Sequence, residues 1–522
     1  MSSSKKKAMT TRKRQDRGRN NVVPTIPYAL SFDDVTLEQG YGTFLPQDAD
    51  ITTRISRNIE HNIPIISAAM DTVTESRLAI EMAQLGGSGV IHRNLTIEDQ
   101  VKEAQKVKKA WNLVVEDPLT IDPQQTLRDM KRHMKNTKFG GLPVVKGKRL
   151  VGIITEKDTK YFADLNTKVK QMMTPASNKL FYIVYDKKHS DKDYFHQAEI
   201  IFREHKIDHL PVVVKEGKNY ILKGLITHED VRKRRNYKNA CLRDDKLVVG
   251  AAVGCQLKGK DNDIKRAEAL IYDGKVDYLV IDASHGYSEG VIKTLKKLKK
   301  VLRGDIDIIA GNVCNGKGAA ELIKYGADAV KVGIGPGSIC TTREKTGVGI
   351  PQITATYSVA CVAAKTDTPV ITDGGIEVPG HITKSIAAGA YAVMLGSRVA
   401  GTYESPGRII EKDGQRWKAY RGMGSLDAMM QGSADRYDES IEDLDLRQDD
   451  VTDLPLEQGV SEVIRYKGKL YKIINEYVQG LKHGMGLTGY RTIDELRSLD
   501  IENKFKIILA GGQRESGVHG LK

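Results

Sequence analysis

The sequence is poor in cysteine: its 522 residues include five, Cys241, Cys255, Cys314, Cys340 and Cys361. The number is odd, the spacings are wide, and no C-x-x-C pair occurs, which argues against a disulfide framework or a zinc site. Long apolar runs are lacking as well. None approaches the roughly 20 residues that a membrane-spanning helix requires. The opening residues, MSSSKKKAMTTRKRQDRGRN, have no apolar core of the kind a secretory signal carries. A cytosolic protein with no membrane partner is expected. No G-x-G-x-x-G turn follows a strand and opens a helix, so a Rossmann domain is not expected.

Charge is abundant, and unevenly spread. The formal net charge is +14. Lys5, Lys6, Lys7, Arg12, Lys13, Arg14, Arg17 and Arg19, against Asp16 alone, place half of it in the first twenty residues. Residues 1–27 therefore read as a disordered basic tail, and the rest is only mildly basic. A solvated tail is the plain reading; a contact with nucleic acid or another polyanion, or a targeting role, is its rival.

What is present is a repeating pattern. Short β-branched runs ending in small or polar residues recur as IPIISAAM, SGVIHRN, LVVGAAVG, DYLVIDASHG, IDIIAGNV, AVKVGIGPG, PVITDGG and AVMLGS. Segments of helical periodicity such as KGAAELIKYGA and PGHITKSIAAGA separate most of them. Eight strand–helix units predict an α/β fold, a parallel (β/α)8 (TIM) barrel. Chemistry in such barrels sits where strands end, and Asp71, Asn94, Asp282, Asn312, Cys340, Asp373 and Ser397 end them here.

Between residues 112 and 243 the alternation gives way to a repeat, GLPVVKGKRLVGIITEKD and HLPVVVKEGKNYILKGLITHED. Two copies of a unit too small to bury its own face suggest a paired module. The pair resembles tandem cystathionine-β-synthase-type (CBS) domains. That resemblance implies purine nucleotides as partners, with Thr155, Asp158, Thr227 and Asp230 contacting ribose and phosphate. Helix capping is the competing role for each Thr–Asp pair. The barrel then comprises residues 28–111 and 244–522, with the CBS pair inserted at 112–243.

The most informative stretch runs from Gly333 to Gly349, GIGPGSICTTREKTGVG. A glycine-rich turn lets backbone approach a ligand closely, and Cys340 follows it at a strand end. A partly exposed thiol among backbone dipoles is a candidate nucleophile; an ordinary buried cysteine is the alternative. The same stretch is similar to the active-site signature of the IMP dehydrogenase/GMP reductase family, and the similarity runs from about Leu30 to the C-terminus.

The resemblance implies NAD-dependent oxidation of IMP to XMP, with Cys340 attacking C2 of the purine. Ser338, Gly375, Gly396, Ser397 and Tyr420 would hold the phosphate. Asp373 would take the ribose hydroxyls beside Gly374, and Met423, Gly424 and Gln458 would lie near the base. Asp282, Ser284, Asn312, Gly333 and Gly335 would border the nicotinamide. Hydrolysis of the cysteine adduct falls, in the dehydrogenases, to an Arg-Tyr pair on a mobile flap. Here the flap is 431–460 and the pair is Arg436 and Tyr437, with Thr342 as the secondary handler of the water's proton. A potassium ion is also implied, on carbonyls of Gly335, Gly337 and Cys340 together with a neighbouring subunit's Glu515, Ser516 and Gly517. Ser516 stands where the family often has glycine, which a carbonyl ligand tolerates. Sharing the ion between subunits implies a homotetramer, an octamer being left open. GMP reductase is the first alternative, and a nucleotide-sensing protein with an inactive barrel the second.

Overall fold

The computed structural model describes residues 27–137, 140–177, 180–259, 262–304, 306–430 and 456–516. Eight parallel strands close into a barrel: β1 (Ile65–Ser67), β2 (Ser88–Ile91), β3 (Val249–Val253), β4 (Tyr278–Asp282), β5 (Asp307–Val313), β6 (Ala329–Val332), β7 (Val370–Asp373) and β8 (Ala392–Leu395). Each is followed by a helix: α1 (Ser76–Gln84), α2 (Ile97–Lys109), α3 (Asp263–Tyr272), α4 (Glu289–Val301), α5 (Gly316–Lys324), α6 (Gln352–Ala363), α7 (Pro379–Ala387) and α8 (Leu470–Thr488). All eight β-branched runs form these strands. Among the described residues, no helix is long and apolar enough to cross a membrane.

The strands read as continuous apolar runs because both of their faces are buried. Side chains alternate between the faces. Val90, Ala252, Tyr278, Val280, Ile309, Ala329, Ile371, Ala392 and Met394 share one core inside the barrel. Their neighbours Val249, Leu279, Ile281, Ile308, Val330 and Val370 belong to a second core with the helices. Local signals fix the helix starts. Thr96 accepts from the Asp99 amide at the head of α2, and Asn315 accepts from Gly318 at the head of α5. A hairpin, Thr53–Ser56 with Ile59–His61, plugs the N-terminal end, where Ser56 and Asn58 bond to Asp307.

Between α2 and β3 the chain forms a separate seven-stranded sheet. Two hairpins dominate it, Gly141–Lys146 with Arg149–Thr155 and His209–Glu216 with Asn219–Thr227. Their registers correspond, Gly141 facing Thr155 and His209 facing Thr227. Each hairpin has its own small core. Thr155 bonds to Asp158 and Thr227 to Asp230 at the heads of the following helices, so both Thr–Asp pairs cap helices. The same four residues also line a cavity of about 1,900 Å³, out to its mouth, between the two hairpin units.

After β8 the chain adds a three-stranded sheet, Ile410–Lys412, Gln415–Arg421 and Ser461–Arg465. It sets Tyr420 and the 456–460 segment beside the barrel mouth. The basic tail lies outside the described residues except for Pro27.

Candidate active site

A cleft of about 900 Å³, counted out to its mouth, opens at the C-terminal ends of the barrel strands. Its position follows from the fold, because strand-to-helix loops converge on this face.

The loop after β6 supplies one wall, with residues Gly333–Cys340 and Thr342 all lining the cleft. Its shape is held by Arg343, whose Nε donates to the Ile334 carbonyl at 2.9 Å and whose guanidinium donates to Ile350 at 2.7 Å. Burial depresses the Arg343 pKa. Gly335 sits at φ +76°, and a Cβ there would stand 2.5 Å from Arg343 Cγ. Glycine is therefore required both by the backbone and by the clamp.

Cys340 is half-buried at the end of this turn, and of the five thiols it is the one that lines the cleft. Burial pushes the Cys241 thiol up to about 12 and raises Cys314 as well. Cys340 Sγ lies 3.2 Å from Thr342 Oγ1, which donates to Gln458 Oε1 at 2.9 Å. The 456–460 segment closes over the turn: Thr341 donates to the Gln458 carbonyl and Val460 to that of Ile339.

A second wall stands opposite. Gly375, Gly396, Ser397 and Tyr420 line it, facing Ser338. The Tyr420 hydroxyl faces Ser338 and Ser397 across it, and burial pushes its phenol up to about 12. Behind it, the Lys467 ammonium caps the Ser397 carbonyl. Burial brings that lysine down to about 8.

The floor is polar. Asp373 and Asn312 line the cleft, and beneath them lies Lys331, 1% exposed. Lys331 Nζ donates to Asp282 at 2.9 Å, to Asp373 at 2.6 Å, and to the Asn312 side-chain carbonyl. Asn312 in turn donates to the Gly333 carbonyl at 2.7 Å and to Asp373 at 2.9 Å. Gln352 donates to the carbonyls of Asp373 and Gly374.

Thus Cys340, Thr342, Ser338, Asp373, Gly374, Gly375, Gly396, Ser397, Tyr420, Met423, Gln458, Ser284, Asn312, Gly333, Gly335 and Gly337 all share one cleft. Gly424 is one residue removed, its carbonyl accepting from the Gln458 amide. Asp282 lies under the floor, engaged by Lys331. Asp71 and Asn94 are drawn together with Arg421, whose guanidinium reaches Asp71 at 2.6 Å; none of the three lines the cleft. Glu515 and Ser516 end the helix Ala510–Glu515, near Asp34 through Gln513, and do not line the cleft. Arg436, Tyr437 and Gly517 lie outside the described residues. Sequence reasoning missed Lys331, Gln352 and Arg343. The signal for Lys331 was a single lysine inside an otherwise apolar strand, AVKVG.

This arrangement gathers a half-buried thiol, a wall of hydroxyls and glycines and a carboxylate into one cleft, groups that can serve covalent chemistry on a phosphorylated nucleoside. A family model described as the IMP dehydrogenase / GMP reductase domain matches residues 29–519. An inosine-5′-monophosphate dehydrogenase of Aquifex aeolicus is 44% identical over 96% of this chain and 97% of its own length. One from Escherichia coli K12 is 45% identical over 94% and 96%. Among solved structures, a GMP reductase of Trypanosoma brucei in complex with guanosine 5′-monophosphate is similar with TM-score 0.81 and 36% identity, covering 95% of this chain and 99% of that one.

Proposed function

The chain belongs to the IMP dehydrogenase / GMP reductase family and is an enzyme of the IMP dehydrogenase kind, and from that premise we propose that it oxidises IMP to XMP through a purine held covalently on Cys340. The observation that carries the reading is the cleft itself, in which the Cys340–Thr342–Gln458 chain shares walls with the Ser338–Ser397–Tyr420 cradle.

In the proposed cycle, Ser338, Ser397 and Tyr420 hydroxyls and the backbone of Gly375 and Gly396 hold the phosphate. Asp373 accepts the ribose hydroxyls, and Met423 and Gly424 flank the base. The Cys340 thiolate adds to C2, forming a C–S bond, and the C2 hydrogen leaves with its electron pair. Bound NAD+ supplies the two-electron acceptor for that pair. Ser284, Asn312, Gly333 and Gly335 fit the group, since neutral polar side chains and open backbone share the wall with Cys340 and suit a carboxamide-bearing ring; Asp282 would support them from below. Water then attacks C2, the C–S bond breaks, and XMP leaves. Thr342, tied to Gln458, orients that water, and Arg436 with Tyr437 takes its proton. An arginine, normally titrating at about 12.5 or above, serves as the base when a closed flap favours its neutral form.

A potassium ion fits the turn by donor chemistry. The carbonyls of Gly335, Gly337 and Cys340 are neutral oxygen donors on one loop, as a hard cation prefers. The partner subunit's Glu515, the partner subunit's Ser516 and the partner subunit's Gly517 would complete the shell within a homotetramer. The inserted lobe, on this reading a CBS pair, takes purine nucleotides in the cavity lined by Lys157, Lys206, Arg232 and Lys233.

The test is to mix the protein with IMP, NAD+ and KCl and follow NADH absorbance, with Cys340→Ala alongside. NADH and XMP from the unaltered protein alone are expected. NADPH consumption with ammonia release from GMP would sink the dehydrogenase reading, and silence in both assays would point to a nucleotide-sensing protein.

A further inference from the structure

The floor of the cleft contains a group that this cycle does not use. Lys331 lies on β6, and strand parity turns it into the barrel interior in the layer above Ala329. The same parity puts Asp282 above Val280 on β4 and Asp373 above Ile371 on β7. The layer below is apolar, so an apolar side chain would have plugged the barrel equally well. A buried ammonium is costly unless polar partners surround it. Here three do, one from each of three strands: Asp282 at 2.9 Å, Asp373 at 2.6 Å and the Asn312 carbonyl. Neighbouring β5 makes room for it, because a Cβ at Gly311 would stand 2.7 Å from Lys331 Cβ and 2.5 Å from its carbonyl oxygen.

The bonding pattern sets the orientation of everything above. Asp373 spends Oδ2 on Lys331 and on the Asn312 amide. Its Oδ1 has no hydrogen-bond partner among the described residues, and an ionised carboxylate can only accept. Asn312 must present its carbonyl to the ammonium, which turns its amide toward Gly333, the first residue of the Cys340 loop.

We propose that Lys331 is a positioning residue that holds the ribose carboxylate Asp373, the start of the Cys340 loop and the dinucleotide-side residues Asp282 and Asn312 as one unit. The proposal rests on the dehydrogenase reading, since it takes Asp373 as the ribose contact. Without the ammonium, Asp282 and Asp373 lose the cation they share, and Asp373 swings away from the ribose.

The test is calorimetric titration of IMP into three full-length proteins: unaltered, Lys331→Met, and Lys331→Met with Asp282→Asn. Melting curves accompany each. Lys331→Met is expected to lose roughly 10- to 100-fold in IMP affinity, the size of a lost hydrogen bond to a charged group, with NADH formation falling as well. The double variant, with the excess negative charge gone, is expected to regain most of the IMP affinity at an unchanged melting temperature, which a mere barrel plug would not do. Unaltered IMP affinity in a folded Lys331→Met, no recovery in the double variant, or failure of both to fold would overturn the proposal. If the unaltered protein takes GMP and not IMP, the dehydrogenase reading fails, and the same series titrated with GMP still decides the role of Lys331.

Discussion

Two side chains around the thiol have separable tasks. Tyr420 lines the cleft with Ser338 and Ser397, and burial lifts its phenol to about 12. The phenol therefore stays a neutral donor through pH 10, and in the proposed cycle its contribution to phosphate binding is flat between pH 7 and 10. Tyr420→Phe is expected to raise KM for IMP about tenfold with kcat nearly unchanged, the signature of lost uniform binding. Initial rates across IMP concentrations check it. Thr342 stands instead between the sulfur and Gln458. Thr342→Val should leave adduct formation intact and slow hydrolysis by about tenfold or more. Stopped-flow absorbance would then show a stoichiometric burst of NADH followed by a slow steady state. A uniformly slow trace without a burst would remove Thr342 from the hydrolytic step.

The loop from Gly333 to Gly349 behaves as one element because Arg343 ties its two ends, at Ile334 and Ile350. The cysteine's position depends on that tie rather than on the local turn alone. Gly335→Ala places a Cβ against Arg343 Cγ in a left-handed backbone position, so the loop must shift. A displacement of about 1 Å costs on the order of 100-fold in rate, and kcat/KM should fall by that much. The loop lies at the barrel's mouth, away from its core, so the melting temperature should barely move. Coincident loss of both would mean that the turn is part of the folding core.

At the scale of the molecule, the barrel is closed below as carefully as it is open above. His61 sits in the basal hairpin with neither ring nitrogen hydrogen-bonded among the described residues, and burial brings it down to about 3. The unfolded chain takes this proton near pH 6.5, the folded one only near pH 3. Unfolding therefore binds a proton between those values, and stability falls as pH drops through that window. At pH 5 this histidine should lower stability by about 2 kcal/mol relative to pH 8. His61→Leu is expected to flatten that difference in denaturant titrations at the two pH values. An unchanged acid dependence would place the sensitive group elsewhere.

The sequence by itself determined the alternation of eight strands and helices, the point where a different repeat interrupts it, and the turn that carries Cys340. These are local matters: period, β-branched runs and glycine spacing are written in neighbouring residues. Most of the site was legible too, because barrel loops converge and Asn312, Asp373, Ser397 and Tyr420 stand at or near element ends. Only the tertiary structure decided that Asp282 lies beneath the floor, that Asp71 and Asn94 turn to Arg421, and that Lys331 ties Asp282, Asn312 and Asp373 together. Those outcomes depend on which side chains from distant strands reach the same layer of a closed barrel. Strand stagger and closure set that layer, and neither is encoded within any one segment.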